Sequence, residues 1–195
     1  VVSIPVFTRL LTVSDYGILE VYNSILSISV VLIGLNLHGA ITIFYTERKN
    51  EYNSFLFSIV IFSIITGLAE LLLAYVFRDY LKGVFNISYD IIFLSLFVAF
   101  LTIPFNFFLS NLQAKQKSSA YVRFNVFRNF IIVFISVILV IVLPADKYLG
   151  KIYAQLGISV IIFLLIVWWY FKNIRSKINY EHVKYALFFS LPLIP

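Results

Sequence analysis

The chain has 195 residues, 62% of them hydrophobic and 12% charged, with a mean hydropathy of +0.98. Soluble domains run about 45–50% apolar and about 25% charged, so a water-soluble fold is excluded. There is no cysteine, which removes disulfides, zinc knuckles, thiol nucleophiles and iron–sulfur sites, and the formal charge of +6 needs a reason.

A helix crossing a hydrocarbon core of about 30 Å needs roughly 20 apolar residues. Runs at 18–43, 54–77, 89–112, 119–143 and 151–171 meet that length, and runs at 1–11 and 183–195 meet it in part. They are numbered here spans 1 to 7 in chain order. Each full run is continuous rather than alternating, which predicts helices and not barrel strands, because lipid leaves every backbone polar group to be bonded within its own segment. The first run has neither a basic leader nor a small-residue cleavage site, so a signal peptide is not expected there. With no Met at position 1 and an end inside an apolar run, the chain reads as a segment cut on both sides.

Span 2 carries Glu20, Asn23, Ser24, Ser27, Gly34 and His38 near one helical face. Span 3 carries Glu70, in line with Ser63, Thr66, Gly67 and Ala74. An acid inside the membrane costs about 2.5–3.5 kcal/mol on insertion scales unless it faces protein or water. Glu70 therefore reads either as the wall of a wet cavity that exchanges a proton, or as a neutral group bonding two helices. Span 4 repeats the pattern with Thr102, Asn106, Ser110 and Gln113, and Pro104 is expected to bend it. Such stripes also occur in ordinary helix packing; three in succession point to a shared polar interior.

Span 5 opens with Arg123, Asn125, Arg128 and Asn129. Arg128 either snorkels to the membrane surface or turns its fork of donors into a cavity, where it suits a diphosphate. Arg9, in span 1, has the same two readings at the opposite mouth. Trp168, Trp169 and Tyr170 mark a membrane boundary in span 6.

The breaks between spans are short, so neighbouring spans run antiparallel and no extramembrane catalytic domain fits between them. The loops after spans 2, 4 and 6, with the adjoining start of span 5, hold Arg48, Lys49, Lys115, Lys117, Arg123, Arg128, Lys172, Arg175, Lys177 and Lys184. The other side holds Arg9, Arg78, Lys82, Lys147 and Lys151 against as many acids, Asp15, Glu20, Asp79, Asp90 and Asp146. Basic excess stays in the cytoplasm, so the loops after spans 2, 4 and 6 are expected there. The positive charge is thus a topology signal, and nucleic-acid binding is not implied, because no basic stripe interleaved with aromatics lies outside the apolar runs. His38 and His182 have no second ligand at metal spacing, and no triad, HExxH or phosphate loop is present. No metal, no cofactor and no enzymatic activity are expected.

The stretch P-V-F-T-R-L-L-T-V-S-D-Y-G-I-L-E at 5–20 resembles the "TRLL(S/T)xxxYG" hallmark of Wzx-type polysaccharide flippases. G-L-N-L-H-G-A-I at 34–41 is similar to the family stretch that closes the second helix, and K-Y-A-L-F-F-S-L-P-L-I-P at 184–195 resembles the start of the seventh. The resemblance implies the multidrug/oligosaccharidyl-lipid/polysaccharide exporter superfamily: two six-helix lobes around a central cavity, moving an undecaprenyl-diphosphate-linked oligosaccharide outward by alternating access.

The expected fold is therefore an all-α polytopic transmembrane helix bundle, with the first six-helix lobe over 1–182 and the start of helix 7 over 183–195. The expected partners are a lipid-linked oligosaccharide and membrane lipids, with H⁺ or Na⁺ coupling possible, at the cytoplasmic membrane. Candidate cavity residues are Arg9, carried by the resemblance, and Glu20, Ser27, His38, Glu70, Asn106, Arg123 and Arg128, carried by helix faces. A multidrug exporter of the same superfamily, which would want an acidic aromatic cavity, is the first rival. A membrane enzyme acting on polyprenyl-phosphate lipids is the second, though the loops lack its clustered Asp, His or Arg.

Overall fold

The computed structural model describes residues 7, 10–190 and 192. Most of span 1, including Arg9, lies outside the described residues. All the regular structure among the described residues is helical: α1 (Val13–Gly34), α2 (Leu37–Glu47), a 3₁₀ turn (Lys49–Glu51), α3 (Tyr52–Val76), α4 (Arg78–Phe85), α5 (Tyr89–Ala114), α6 (Ser118–Val142), α7 (Tyr148–Asn173) and α8 (Tyr180–Ser190). Among the described residues, five stretches are long and apolar enough to cross a membrane: α1 with α2, the 3₁₀ turn with α3, α5, α6 and α7. The protein is an all-helical, multi-pass membrane bundle.

The starts and stops follow local chemistry. Thr12 and Asp15 form a capping box, with the Asp15 amide donating to Thr12 Oγ1 at 3.2 Å and the Thr12 amide donating to Asp15 Oδ2 at 3.1 Å. The run 18–43, expected as one helix, is two helices. Leu35 (φ 41°) and Asn36 (φ 55°) both adopt the left-handed conformation after Gly34, so the ladder of α1 ends and α2 restarts. A second difference lies at 78–83, expected as a loop. It forms the amphipathic helix α4, whose Leu81 and Phe85 face the bundle while Arg78, Asp79 and Lys82 stay exposed.

The middle of the bundle belongs to α5, with 78% of its most apolar window buried against 11% for α6. α1, α2, α3 and α7 pack on it, and α6 pairs chiefly with α7. Pro104 sits inside α5 without ending it, and its carbonyl accepts a hydrogen bond from the Tyr170 hydroxyl of α7 at 3.2 Å. At the end where α2, α3 and α8 meet, Phe44 stacks on Phe55 with centroids 3.8 Å apart. The segment entering α8 is strapped to α3: Ser54 Oγ donates to the Lys177 carbonyl at 3.0 Å, and the Asn179 amide donates to Ser58 Oγ at 2.9 Å.

Candidate functional site

Because α6 leans on α7 more than on α5, a wedge stays open between α6 and the α1–α2 bend, with α5 as its floor. This cleft has a volume of about 470 Å³. Its polar lining comes from Asn36 and His38 at the bend, Asn106, Ser110 and Gln113 on one face of α5, and Tyr121 on α6. Apolar walls of Val30, Val31 and Ile103 hold these groups apart. The bend at Leu35 and Asn36 turns the chain at the cleft, and His38, the second residue of α2, lines it.

Tyr121 is the α6 residue in the cleft lining, and Arg128 lies two turns further along that helix. Tyr121, Asn125 and Arg128 are spaced by four and three and share a face, and the antiparallel course of α5 and α6 sets Tyr121 near Gln113 and Arg128 at Thr102. Arg128 Nη2 donates to Thr102 Oγ1 at 3.3 Å, and the guanidinium lies 5.0 Å from the Phe105 ring centroid. The side chain is therefore turned inward onto the floor helix and not out to the membrane surface. Its Nε is buried without a hydrogen-bond partner, so donor capacity remains. In the turn joining floor to wall, Lys115 lies 5.5 Å from the Tyr52 ring. Burial first, and Lys117 second, hold its pKa below the usual lysine value.

The other expected residues are distributed as follows. Glu20 and Ser27 are exposed on α1, on one side with Ser24; Ser24 and Ser27 each donate to the backbone carbonyl four residues earlier, at 2.8 Å. That polar side runs from Glu20 to the cleft at Gly34, a rise of about 21 Å at 1.5 Å per residue. Glu20 interacts electrostatically with Lys151 of α7 at its far end. Arg123 is exposed, donates to the Ser119 carbonyl at 3.3 Å, and sits about 140° round α6 from Arg128, outside the cleft. Among the expected residues, then, His38 and Asn106 share the cleft lining, Arg128 lies against the floor helix at Thr102 and Phe105, and Glu20 and Ser27 are exposed on α1.

Glu70 is elsewhere. Ser63 and Thr66, in line with it, bond carbonyls of α3 and α1: Ser63 Oγ donates to Val60 at 2.8 Å and Thr66 Oγ1 to Ile33 at 3.3 Å. Gly67 lets α3 approach α5, since a Cβ there would stand 2.5 Å from the Phe100 ring. That stripe is a packing seam, and Glu70 stands at its end, facing Ser29 of α1 in a separate cavity. Two lining residues were not singled out in the sequence, Ser29 beside Glu70 and Tyr121 in the cleft. Ser29 falls on the buried side of α1, away from Ser24 and Ser27, and Tyr121 could have been found by the helical spacing it shares with Arg128.

A family model described as "Polysaccharide biosynthesis protein" matches residues 1–194. No curated protein and no solved structure matches the chain.

Proposed function

The chain belongs to the polysaccharide biosynthesis protein family, the family of Wzx-type flippases among the multidrug/oligosaccharidyl-lipid/polysaccharide exporters, and from that premise we propose that it forms the first lobe of a transporter that flips a lipid-diphosphate-linked oligosaccharide by alternating access. The observation that carries this reading is the polar surface running from Glu20 and Ser27 on α1 into the His38–Asn106–Tyr121 cleft. Polar side chains turned outward from a membrane bundle are costly against lipid, so this side belongs against water and a second lobe. A glycan moving between the lobes would exchange hydrogen bonds with these hydroxyl and amide groups.

Arg128 would hold the diphosphate. Its guanidinium offers donors in a fixed fork that matches two phosphate oxygens, and the packed floor of Phe105 and Thr102 positions it before the ligand arrives. Arg9, placed by the TRLL motif, would act at the other mouth. The loops after spans 2, 4 and 6 would lie in the cytoplasm by their basic excess, so the Gln113–Tyr121 end of the cleft would open there. Glu70 would couple the cycle to a cation, H⁺ or Na⁺.

The test is flipping of an undecaprenyl-diphosphate-linked oligosaccharide by the complete protein in proteoliposomes. Arg128→Ala is expected to lower the rate about tenfold or more, equivalent to about 1.4 kcal/mol. Arg128→Lys, which keeps the charge but loses the fork, falls in between. Wild-type rates in both variants would remove Arg128 from the mechanism.

A further inference from the structure

Helix α4 follows α3 after a single residue, Phe77, and does not extend it. Continued straight, the ladder of α3 would set Phe85 about 16 Å beyond Ala74 at 1.5 Å per residue. Instead Leu81 and Phe85 line the same cavity as Leu73 and Ala74 of α3 and Ile92 and Leu96 of α5, so α4 turns back across the end of the bundle. The helix has three sides. Leu81 and Phe85 face the bundle, and Arg78, Asp79 and Lys82 make a polar side. On the third, Tyr80 and Val84, one turn apart, are 71% and 57% exposed. Packing inside the bundle does not account for that third side.

Its neighbours say what covers it. Leu72, Tyr75 and Val76, just before the turn, are exposed on the outside of a helix of membrane length. Phe77 is exposed as well, and Phe77, Tyr80 and Val84 are spaced by three and four, so the lipid-facing surface of α3 runs on into α4. Tyrosines gather at this level: Tyr75 in the last turn of α3, Tyr80 on α4 and Tyr89 at the first residue of α5. Such residues concentrate where acyl chains meet headgroups, because the ring is apolar and the hydroxyl wants water. Arg78 lies 5.9 Å from the Tyr75 ring, and Arg78 and Lys82 against Asp79 leave one positive charge on the polar side, which suits a layer of lipid phosphates. From this geometry we infer that α4 is an in-plane membrane helix. It binds the lipid surface at the end of the bundle away from α2 and α8, with Tyr80 and Val84 among the acyl chains and Arg78 and Lys82 at the level of the phosphates. Its eight residues make about 12 Å of helix, too short to span a bilayer and long enough to lie in one face of it. The bilayer, together with the bundle, thus holds down the helix that closes this end of the Glu70 cavity.

The experiment is nitroxide scanning of the complete protein, freed of other cysteines, in vesicles of phosphatidylethanolamine and phosphatidylglycerol. Single labels at Asp79→Cys, Tyr80→Cys and Val84→Cys, all exposed positions, are read by power saturation with oxygen, which concentrates in acyl chains, and with a water-soluble nickel chelate. Labels at 80 and 84 are expected to favour oxygen and the label at 79 the chelate, with the oxygen-to-nickel ratio at least twofold higher at 84 than at 79. Because Tyr80→Cys removes a ring that would anchor the helix, the label at 84 decides where the two differ. Preference for the chelate at 84 would put α4 in water, and shielding of 84 from both reagents would put protein over the strip; either result overturns the assignment. Should a labelled variant not fold, the added fluorescence of Tyr80→Trp, which keeps an aromatic ring, is measured in vesicles of brominated lipid: quenching supports the in-plane helix and its absence overturns it. None of these readouts depends on transport, so this inference and the flippase reading can fail separately.

Discussion

Two glycines on α7 show how differently a single missing side chain weighs. At Gly150 a Cβ would stand 2.7 Å from the Val140 backbone nitrogen and 2.9 Å from the Leu139 carbonyl carbon, so α6 and α7 touch backbone to backbone there. Close approach through small residues is how helices associate where lipid removes the hydrophobic drive. At Gly157 a Cβ would meet nothing within 4 Å. Gly150→Ala is therefore expected to destabilise the bundle by about 1–3 kcal/mol, because backbone and not a flexible side chain must move. Gly157→Ala should be neutral or stabilising by up to about 1 kcal/mol through helix propensity. Thermal unfolding of the two variants in one detergent checks the pair, and equal melting temperatures would contradict the close packing. The wall helix α6 packs chiefly on α7, so Gly150→Ala should also disturb the cleft. None of this was legible in the sequence: Gly150 stands just before the apolar run 151–171 and Gly157 inside it, and only the partner's backbone tells how closely each is approached.

Among the elements, the bend between α1 and α2 and the docking of α8 decide the shape of the cleft end. A β-branched residue in the left-handed conformation at position 36 would cost about 1–2 kcal/mol, whereas glycine adopts it freely. Asn36→Val is expected to melt lower than Asn36→Gly and to lose more transport, as the bend carries His38 into the cleft. α8 is fixed by His182, 4% exposed, whose Nε2 lies 3.1 Å from Glu51 Oε2 and whose ring meets Phe44 edge-on at 5.4 Å. The Tyr185 hydroxyl adds a 2.6 Å hydrogen bond to Glu47. His182→Ala is expected to cost about 2 kcal/mol or more, from the cavity as well as the lost bond, and Glu51→Gln, which keeps a bonding partner on an exposed side chain, under about 1 kcal/mol. Chemical denaturation of both variants measures the difference. The five membrane-length stretches could be read from hydropathy, with ends within about five residues of the runs, but the break inside the first could not. Helix α4 could not, because the density of Arg78, Asp79 and Lys82 hid the spacing of Phe77, Leu81 and Phe85, which lines the cavity. Helical periodicity told which residues share a face and not what that face meets. Thus the Ser63–Thr66–Gly67 stripe, read as part of a wet interior, is a seam, while Ser24 and Ser27 are exposed.

For the whole molecule, the decisive quantity is which end of the bundle faces the cytoplasm, because the charge pattern, the cleft and the Glu70 cavity all take their meaning from it. The turn between α5 and α6 lies at the His38–Gln113–Tyr121 end of the cleft, and α2, the start of α3 and α8 meet at that end. The turn between α6 and α7 lies at the other, near Glu20 and Lys151. Since the chain contains no cysteine, single thiols report their own position against a silent background from this segment. Ser118 and Ala145 are exposed and carry neither charge nor a buried contact. In intact cells a membrane-impermeant thiol reagent is expected to label Ala145→Cys and to reach Ser118→Cys only after permeabilisation. Ser27→Cys and Asn106→Cys extend the same measurement inward: if the polar surface borders water, both react with a small charged reagent in the complete protein, while a cysteine at exposed but apolar Leu72 does not. The opposite sidedness would put the mouth of the cleft outside, where an exporter releases its cargo, and Arg128 would then have to act late in the cycle, in substrate release. The expected sidedness instead places Arg128 about 10 Å of helix beyond Tyr121 on the path from the cytoplasm, where it can capture a diphosphate before the glycan crosses.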